Sequence, residues 1–399
     1  MFDPSKPLLM FCALVLALAS HARAAEIDAG GSVKLTHVGT GVTDHADATT
    51  VWQNKNRLKL KADVGDQVIF KFAYEFGFRR ANVATPAEQQ TIYRLEDLEP
   101  VPHREINGDI DQHVFQNLDR ASMQWAGDAL DVTAGRQPFA FGSGRTINPT
   151  DVFVPYSPFA IDTEDRIGTD GLRVRYPLGD LSELDLGFLM GVDENDSEVS
   201  RATYFRSRTT VFEQDIAVMI VSFLDHHLFG LDLQYSLGPI GGWVESAIVE
   251  PEQNLGADER EDPYTRVSTG INVLVGTSNT FVFVEYHYNG AGEANRYEYH
   301  LNFGKSAYRD AGVYLFGQHY IIPGVQWELT PLLGLTTNLF ANVSDGSVMT
   351  TAAFNYSVSD DIQAYFGAYL PAGKKGTDLA PTEFGQSPRV AYASLRYYF

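Results

Sequence analysis

Hydrophobic and polar residues alternate most clearly over 57–80, RLKLKADVGDQVIFKFAYEFGFRR. Leu58, Leu60, Ala62 and Val64 alternate with Arg57, Lys59, Lys61 and Asp63. After Gly65-Asp66, the residues Val68, Phe70, Phe72, Tyr74, Phe76 and Phe78 alternate with Ile69, Lys71, Ala73, Glu75, Gly77 and Arg79. Side chains of a strand point to opposite faces in turn, so the stretch predicts a β-hairpin with one apolar and one charged face. A soluble sandwich hides its apolar face in a core and shows the same alternation. The two ends of the chain decide which solvent that face meets.

The same period predicts strands near 32–39, 55–64, 67–79, 116–126, 129–137, 169–177, 182–190, 201–212, 215–224, 228–237, 242–250, 264–275, 280–289, 319–329, 333–342, 347–357, 361–370 and 388–399. That is about 18, an even number, as a single-chain bacterial barrel requires. One set of connectors is short: Gly65-Asp66, Gly127-Asp128, Leu178–Leu181, Gly238–Gly242, Gly276–Asn279, Thr330–Leu332 and Val358–Asp361. The other set is mostly long and acidic, over 40–54, 80–115, 138–168, 191–200, 251–263, 290–318 and 371–387. Short turns on one rim and long loops on the other match the periplasmic and extracellular ends of such barrels. Trp125, Trp243, Trp327, Tyr176 and Tyr397 are candidates for interfacial girdles.

The last residues, VAYASLRYYF, place Phe399, Tyr397, Leu395, Ala393 and Ala391 on one face. This resembles the carboxyl-terminal strand signal of bacterial outer-membrane β-barrels. The expected fold is therefore all-β, a transmembrane antiparallel barrel of about 18 strands with long extracellular loops and short periplasmic turns. A closed barrel is one of two structures that satisfy every backbone polar group in lipid.

Residues 1–24 read as a secretory signal peptide, with Lys6 in the n-region, an apolar stretch Leu8–Ala19 and the small-x-small site Ala22-Arg23-Ala24. The apolar stretch is shorter than the roughly 20 residues a spanning helix needs. The predicted mature chain, 25–399, is one barrel domain. The sole cysteine, Cys12, lies in the signal, which excludes a disulfide framework and cysteine-ligated metal in the mature chain. Loss of Asp3, Lys6 and Arg23 takes the formal charge from −21 to −22, with no basic footprint for nucleic acid. Mean hydropathy is slightly negative, as expected when only alternate strand residues face lipid.

The loop 138–168 is the first candidate for function. It is rich in proline and aromatics, with charges at Arg145, Asp151, Asp162, Glu164, Asp165 and Arg166. A solvated loop has no need of Phe139, Phe141, Phe153, Tyr156 and Phe159, so it is expected to fold inward and narrow the pore. The alternative is a cap packed on other outer loops. The second candidate is the inward wall, with Lys34, Arg57, Lys59, Lys61, Lys71, Arg79, Arg173 and Arg175. A basic wall facing an acidic loop would set a transverse field that tunes which ions pass. Alternatively these cations pair with Asp63, Glu75 and Asp185. Glu285, His287, Gln326 and Glu328 also fall inward, and His226-His227 reads as part of a short connector. Asp193, Glu194, Asp196 and Glu198 offer hard oxygens to calcium but read better as a solvated charge run. No H-E-x-x-H, G-x-S-x-G or phosphate-loop motif occurs, and neither an enzyme nor a cofactor is expected.

Residues 135–147, GRQPFAFGSGRTI, followed by Asp170-Gly171-Leu172-Arg173-Val174-Arg175-Tyr176, resemble the G-R-Q…G-x-R…D-x-x-R-x-R pattern of the alginate-export-like and related porin-like outer-membrane families. The match covers about a tenth of the chain. The resemblance implies an 18-stranded barrel whose lumenal arginines guide an anionic polysaccharide, with Arg136, Arg145, Arg173 and Arg175 in the lumen or constriction. The insertion 148–168 departs from the pattern. Its Asp162, Glu164 and Asp165 would oppose a polyanion and favour a more general channel.

The leading expectation is a passive outer-membrane channel for small hydrophilic solutes or ions, as monomer or homo-trimer, in contact with membrane lipid and lipopolysaccharide. The alternatives are a channel or exporter for an anionic sugar or polymer, and a plugged barrel acting as receptor or structural protein.

Overall fold

The alternation becomes a closed ladder in the computed structural model, which describes residues 25–41, 48–82, 91–96, 111–192, 199–251, 261–276, 279–375 and 380–399. The first nine strands are β1 (Ala25–Gly41), β2 (Thr49–Val64), β3 (Val68–Ala81), β4 (Asp111–Ala126), β5 (Asp131–Gln137), β6 (Thr169–Pro177), β7 (Ser182–Val192), β8 (Val199–Val211) and β9 (Gln214–Phe223). The second nine are β10 (His226–Leu237), β11 (Ile240–Pro251), β12 (Tyr264–Val275), β13 (Thr280–Asn289), β14 (His319–Thr330), β15 (Leu333–Asn342), β16 (Val348–Ser357), β17 (Ile362–Ala372) and β18 (Arg389–Tyr398).

Each strand pairs antiparallel with its sequence neighbours, and β1 also pairs with β18, so the 18-stranded sheet closes on itself. Closure leaves no edge strand whose backbone groups lack partners. At the seam Ser32 lies opposite Tyr398 and Gly41 opposite Arg389. Gly31 and Phe399 exchange backbone hydrogen bonds of 2.8 and 3.1 Å. Residue 25 and the carboxyl terminus thus share one rim.

That rim carries the short turns. One of them is Phe212-Glu213, where both residues adopt positive φ, +50° and +64°, as a two-residue hairpin turn demands. The opposite rim carries 138–168 and 290–318, the latter containing a 3₁₀ helix (Arg296–Gly304) and a short helix α1 (Ser306–Asp310). Two connectors on the long-loop rim are nonetheless brief, 224–225 and 343–347. The connector expected over 40–54 spans only 42–48, because Thr40 still pairs with Thr49. His226-His227 is not a connector either. β10 begins at His226, which is buried with its Nε2 3.3 Å from Asp310 Oδ2 of α1.

The outer surface is apolar. Leu58, Phe76, Leu172, Ile220, Ile271 and Phe366 are exposed and point away from the lumen. A water-soluble protein does not leave a continuous band of this kind uncovered. Trp125, Tyr176, Trp327 and Tyr397 are exposed near the turn-rim ends of β4, β6, β14 and β18, as a girdle requires. Trp243 is not part of it. Its side chain is 1% exposed and faces inward, on the same side of β11 as Glu245. The predicted signal peptide, 1–24, and the acidic run Asp193, Glu194, Asp196 and Glu198 lie outside the described residues.

Candidate functional site: the inward loop and the cavities beside it

β5 ends where Pro138 removes a ladder donor, and the chain turns into the lumen. The loop 138–168 then crosses the barrel on apolar anchors. Phe139, Phe141 and Phe153 are buried together with Tyr93 and with Tyr204 of β8. The rings meet edge to face, with centroids 4.9 Å apart for Phe141–Tyr204 and 5.7 Å for Tyr93–Phe153. Further along, Phe159 packs on Phe340 of β15 at 5.0 Å and on Phe384 at 5.9 Å. These anchors lie on different sectors of the wall, so the loop spans the lumen rather than capping the outer loops.

Two wall carboxylates hold its backbone. Glu245 of β11 accepts the N–H groups of Ser143 at 2.9 Å, Gly144 at 3.0 Å and Thr150 at 2.8 Å. Glu285 of β13 accepts those of Arg145 at 2.8 Å and Ile147 at 3.1 Å, together with the Thr146 hydroxyl. Both carboxylates are fully buried, and a buried charge persists only when donors surround it. Gly142 makes the approach possible. Its φ is +97°, and a Cβ there would meet Glu245 Oε1 at 2.5 Å.

The acidic end of the loop is pressed against β1, β2 and β18. Lys34 Nζ lies 2.8 Å from both Asp162 and Glu164. Asp165 lies 3.1 Å from Lys59 and 3.5 Å from Arg57, and Glu164 lies 3.1 Å from Arg396. These opposed charges are in contact rather than facing one another across a gap, because desolvating them singly would cost more than joining them. Burial pushes the Asp162 carboxyl up, but Lys34 and Arg396 outweigh it and hold it below its ordinary value. Inside the loop, Arg166 pins Asp151 at 2.5 Å and lies over the Tyr156 ring at 4.9 Å. Burial raises Asp151 to about 6 against the pull of Arg166.

The cation–carboxylate pairs named as the alternative are present as well. Arg57, 3% exposed, binds Glu75, and it binds Asp119 at 2.6 Å. Lys61 binds Asp63 at 2.7 Å, and Arg173 binds Asp185 at 2.5 Å. Arg175 lies 3.3 Å from Asp131. Asp119 was invisible to a reading by parity. It is the extra residue of a β-bulge in β4, between Ala73–Arg120 and Tyr74–Leu118 in the register with β3. The bulge puts Asp119 next to Arg57, Arg94 and Arg120.

Two cavities flank the loop. The larger, about 930 Å³, is lined by Arg57, Lys59, Lys61, Lys71, Arg120, Arg173 and Arg175, with Asp28 and Asp165 as its acidic side chains. The second, about 600 Å³, lies between the loop and the wall from β12 to β18. Arg145, Arg166, Arg266 and Arg396 face it, among Tyr156, Tyr314, Tyr365, Tyr369 and Tyr392. Arg145 sits over Trp243 and Phe281 at 5.4 and 5.5 Å, and Arg396 over Tyr365 at 3.9 Å. Arg79, expected on the pore wall, shares the inward parity of Glu75 on β3, opposite Gln53 and His113, and lines neither cavity. Arg136, expected at the constriction, lines neither cavity. It shares the outward parity of Val132 and Ala134, opposite Asp170, and binds Asp170 at 2.8 Å and the carbonyls of Leu118 and Glu96 at 2.8 and 2.7 Å. It closes the wall where the β4–β5 ladder stops. Arg396 was legible from the parity of the last strand; Glu245, Arg120 and Arg266 were not singled out by any motif.

The closed 18-stranded antiparallel barrel is a fold this chain shares with solved outer-membrane proteins. No family model matches the chain, and no curated protein matches it. Solved structures do match. OccK3 (OpdO) of Pseudomonas aeruginosa aligns with a TM-score of 0.59 at 10% identity, over 94% of this chain and 96% of that one. A BenF-like porin from *Pseudomonas fluorescens* Pf-5 aligns at 0.57 and 9% identity, over 94% and 98%. OpdK of *P. aeruginosa*, solved with vanillate, aligns at 0.54 and 10% identity, over 93% and 98%. At such identities the likeness establishes the fold, and the alginate-export-like pattern is not what these structures share by name.

Proposed function

We propose that this protein is an outer-membrane channel that passes small anionic solutes through the cavities beside its inward loop. The observation that carries the reading is the disposition of charge. The loop carboxylates are spent on Lys34, Arg57, Lys59 and Arg396, and Lys61 and Arg175 pair with wall carboxylates, while Lys71 remains on the larger cavity and Arg145 on the second. A lining in which cations outnumber carboxylates raises the local concentration of anions. The arginine and tyrosine lining of the second cavity suits a small carboxylate carrying a ring, since guanidinium binds carboxylate in bidentate fashion and the tyrosines offer stacking faces. The OpdK structure with vanillate supports this class of solute.

The experiment is single-channel recording of the refolded barrel in a planar bilayer under a salt gradient. A steady conductance with a reversal potential of anion sign is the expected result. Cation preference would reject the basic-wall mechanism. Absence of conductance in a folded barrel would favour the plugged receptor. The polymer-export reading needs a continuous arginine track, and Arg136, tied to Asp170 on the outward side of β5, interrupts it.

A further inference from the structure

The outer face of β1 to β3 carries polar side chains in successive rows on β2, first the hydrogen-bonded pair Asn56 and Asn54 and then, nearer the long-loop rim, a row of larger groups. His37, Trp52 and Arg80 lie side by side across the three strands, all on the side away from Lys34, Arg57 and Arg79. His37 and Trp52 stack with ring centroids 4.0 Å apart, and the Trp52 side chain is 57% exposed. Arg80 is exposed and has no ion-pair or hydrogen-bond partner among the described residues, and His37 Nδ1 has none either. Among the described residues Thr50, Trp52, Arg80, Ala81 and Asn82 line a hollow of about 320 Å³, and none of these is a carboxylate. One row nearer the turn rim, Leu35 and Phe78 are exposed and apolar on either side of Asn54, whose side chain is taken up by Asn56. The row therefore sits where the hydrocarbon band ends on the long-loop side. Aromatic and cationic side chains at that height face lipid headgroups, not acyl chains.

We propose that this row is a docking site for a phosphorylated glycolipid of the outer leaflet. Arg80 takes the phosphate, and the exposed Trp52 face takes the sugar ring beside it. The charge argument is specific. The chain is strongly acidic, with a formal charge of −21, yet among the described residues this hollow presents a guanidinium without an ion-pair partner and no acid. An arginine on the lipid face of a barrel strand is tolerated at the interface, where headgroups and water reach it, and not at the midplane. A glycolipid phosphate supplies the anion, and guanidinium–phosphate contacts are charge-assisted and can be bidentate. The inference rests on the outer-membrane placement proposed above but not on conduction, so it stands or falls separately from the channel reading.

The test is native mass spectrometry of the refolded, delipidated full chain, titrated with bis-phosphorylated lipid A. Heat-modifiable migration on a gel reports folding independently. The wild-type chain is expected to retain one lipid A copy, and Arg80→Gln to retain it about tenfold less well, the scale of one charge-assisted contact. Arg80→Lys should recover part of the loss, and Trp52→Ala should bind more weakly without altering migration. Arg389→Gln removes another exposed arginine, opposite Gly41 on the same outer surface, and should bind as the wild type does. Equal binding by wild type and Arg80→Gln would overturn the proposal. So would equal retention of phosphate-free lipid A or of phosphatidylglycerol, which would mark an ordinary lipid annulus. Displacement by millimolar inorganic phosphate would reduce the hollow to an anion site and overturn the glycolipid assignment. An equal loss in Arg389→Gln would show general surface charge instead. If Arg80→Gln fails to fold, Trp52→Ala and the phosphate-free lipid decide the question.

Discussion

The carboxylate of Glu285 receives the backbone N–H of Arg145 at 2.8 Å, so a wall residue positions the peptide that carries a pore-facing guanidinium. Removing the wall carboxylates should free the loop without touching its charges. Glu245→Ala and Glu285→Ala each leave several buried amide donors without an acceptor, at a cost of about 1–3 kcal/mol. Both variants are expected to unfold at lower urea concentration. Their single-channel records should show larger and noisier conductance. Unchanged records from a folded double variant would detach the loop from control of the pore.

Acid should release the opposite end of the loop, and only at low pH. The folded-state value of Asp162 lies below its unfolded value, because Lys34 and Arg396 overcome the effect of burial. Its contribution is therefore fully present above the ordinary carboxylate value of about 3.9 and is lost as pH falls through the folded value. Asp151 has the opposite sign. Burial raises it to about 6, so its contribution is present below the ordinary value and lost as pH rises through about 6. Between pH 7 and about 4 the Asp162–Lys34 contact should hold. Wild-type channel noise should then rise only below about pH 4, whereas Asp162→Asn should show that noise already at pH 7. A rise beginning near pH 6 in the wild type would assign the transition to another group.

Selectivity should follow the cations that remain open to the larger cavity. Lys71 is exposed on that lining and is free of the loop carboxylates. Lys71→Glu reverses one charge beside the open cavity and is expected to lower the anion-to-cation permeability ratio several-fold, screened progressively as salt rises. The reversal potential in a tenfold salt gradient is the readout. A variant identical to wild type would place the selective charges elsewhere in the lumen.

Gly142→Ala tests the close approach of loop and wall. An alanine there must adopt φ +97° and place its Cβ 2.5 Å from the Glu245 carboxylate. Destabilisation of about 1–3 kcal/mol is expected, with loop mobility like that of Glu245→Ala. Urea midpoints measured by heat-modifiable migration provide the comparison.

The strands and their number were legible from residue alternation because lipid on one side and water on the other impose a period of two on every segment. The inward fold of 138–168 was legible from its phenylalanines, which need an apolar seat. Lys61–Asp63 and Arg57–Glu75 were legible because strand neighbours two apart or directly opposite share a face. Beyond that reach the alternation carries no information. Trp243 looked like a girdle residue, and only the placement of Arg145 over its ring shows which way it points. Asp119 faces Arg57 because a bulge interrupts the period. Arg136 left the pore because its strand turns that parity outward and Asp170 waits opposite. Above all, the meeting of Asp162 with Lys34 joins residues 128 positions apart. Local pattern decides which face a side chain takes, whereas barrel closure and the path of the loop decide which faces meet. That is why the fold could be read along the chain and the balance of charge in the lumen could not.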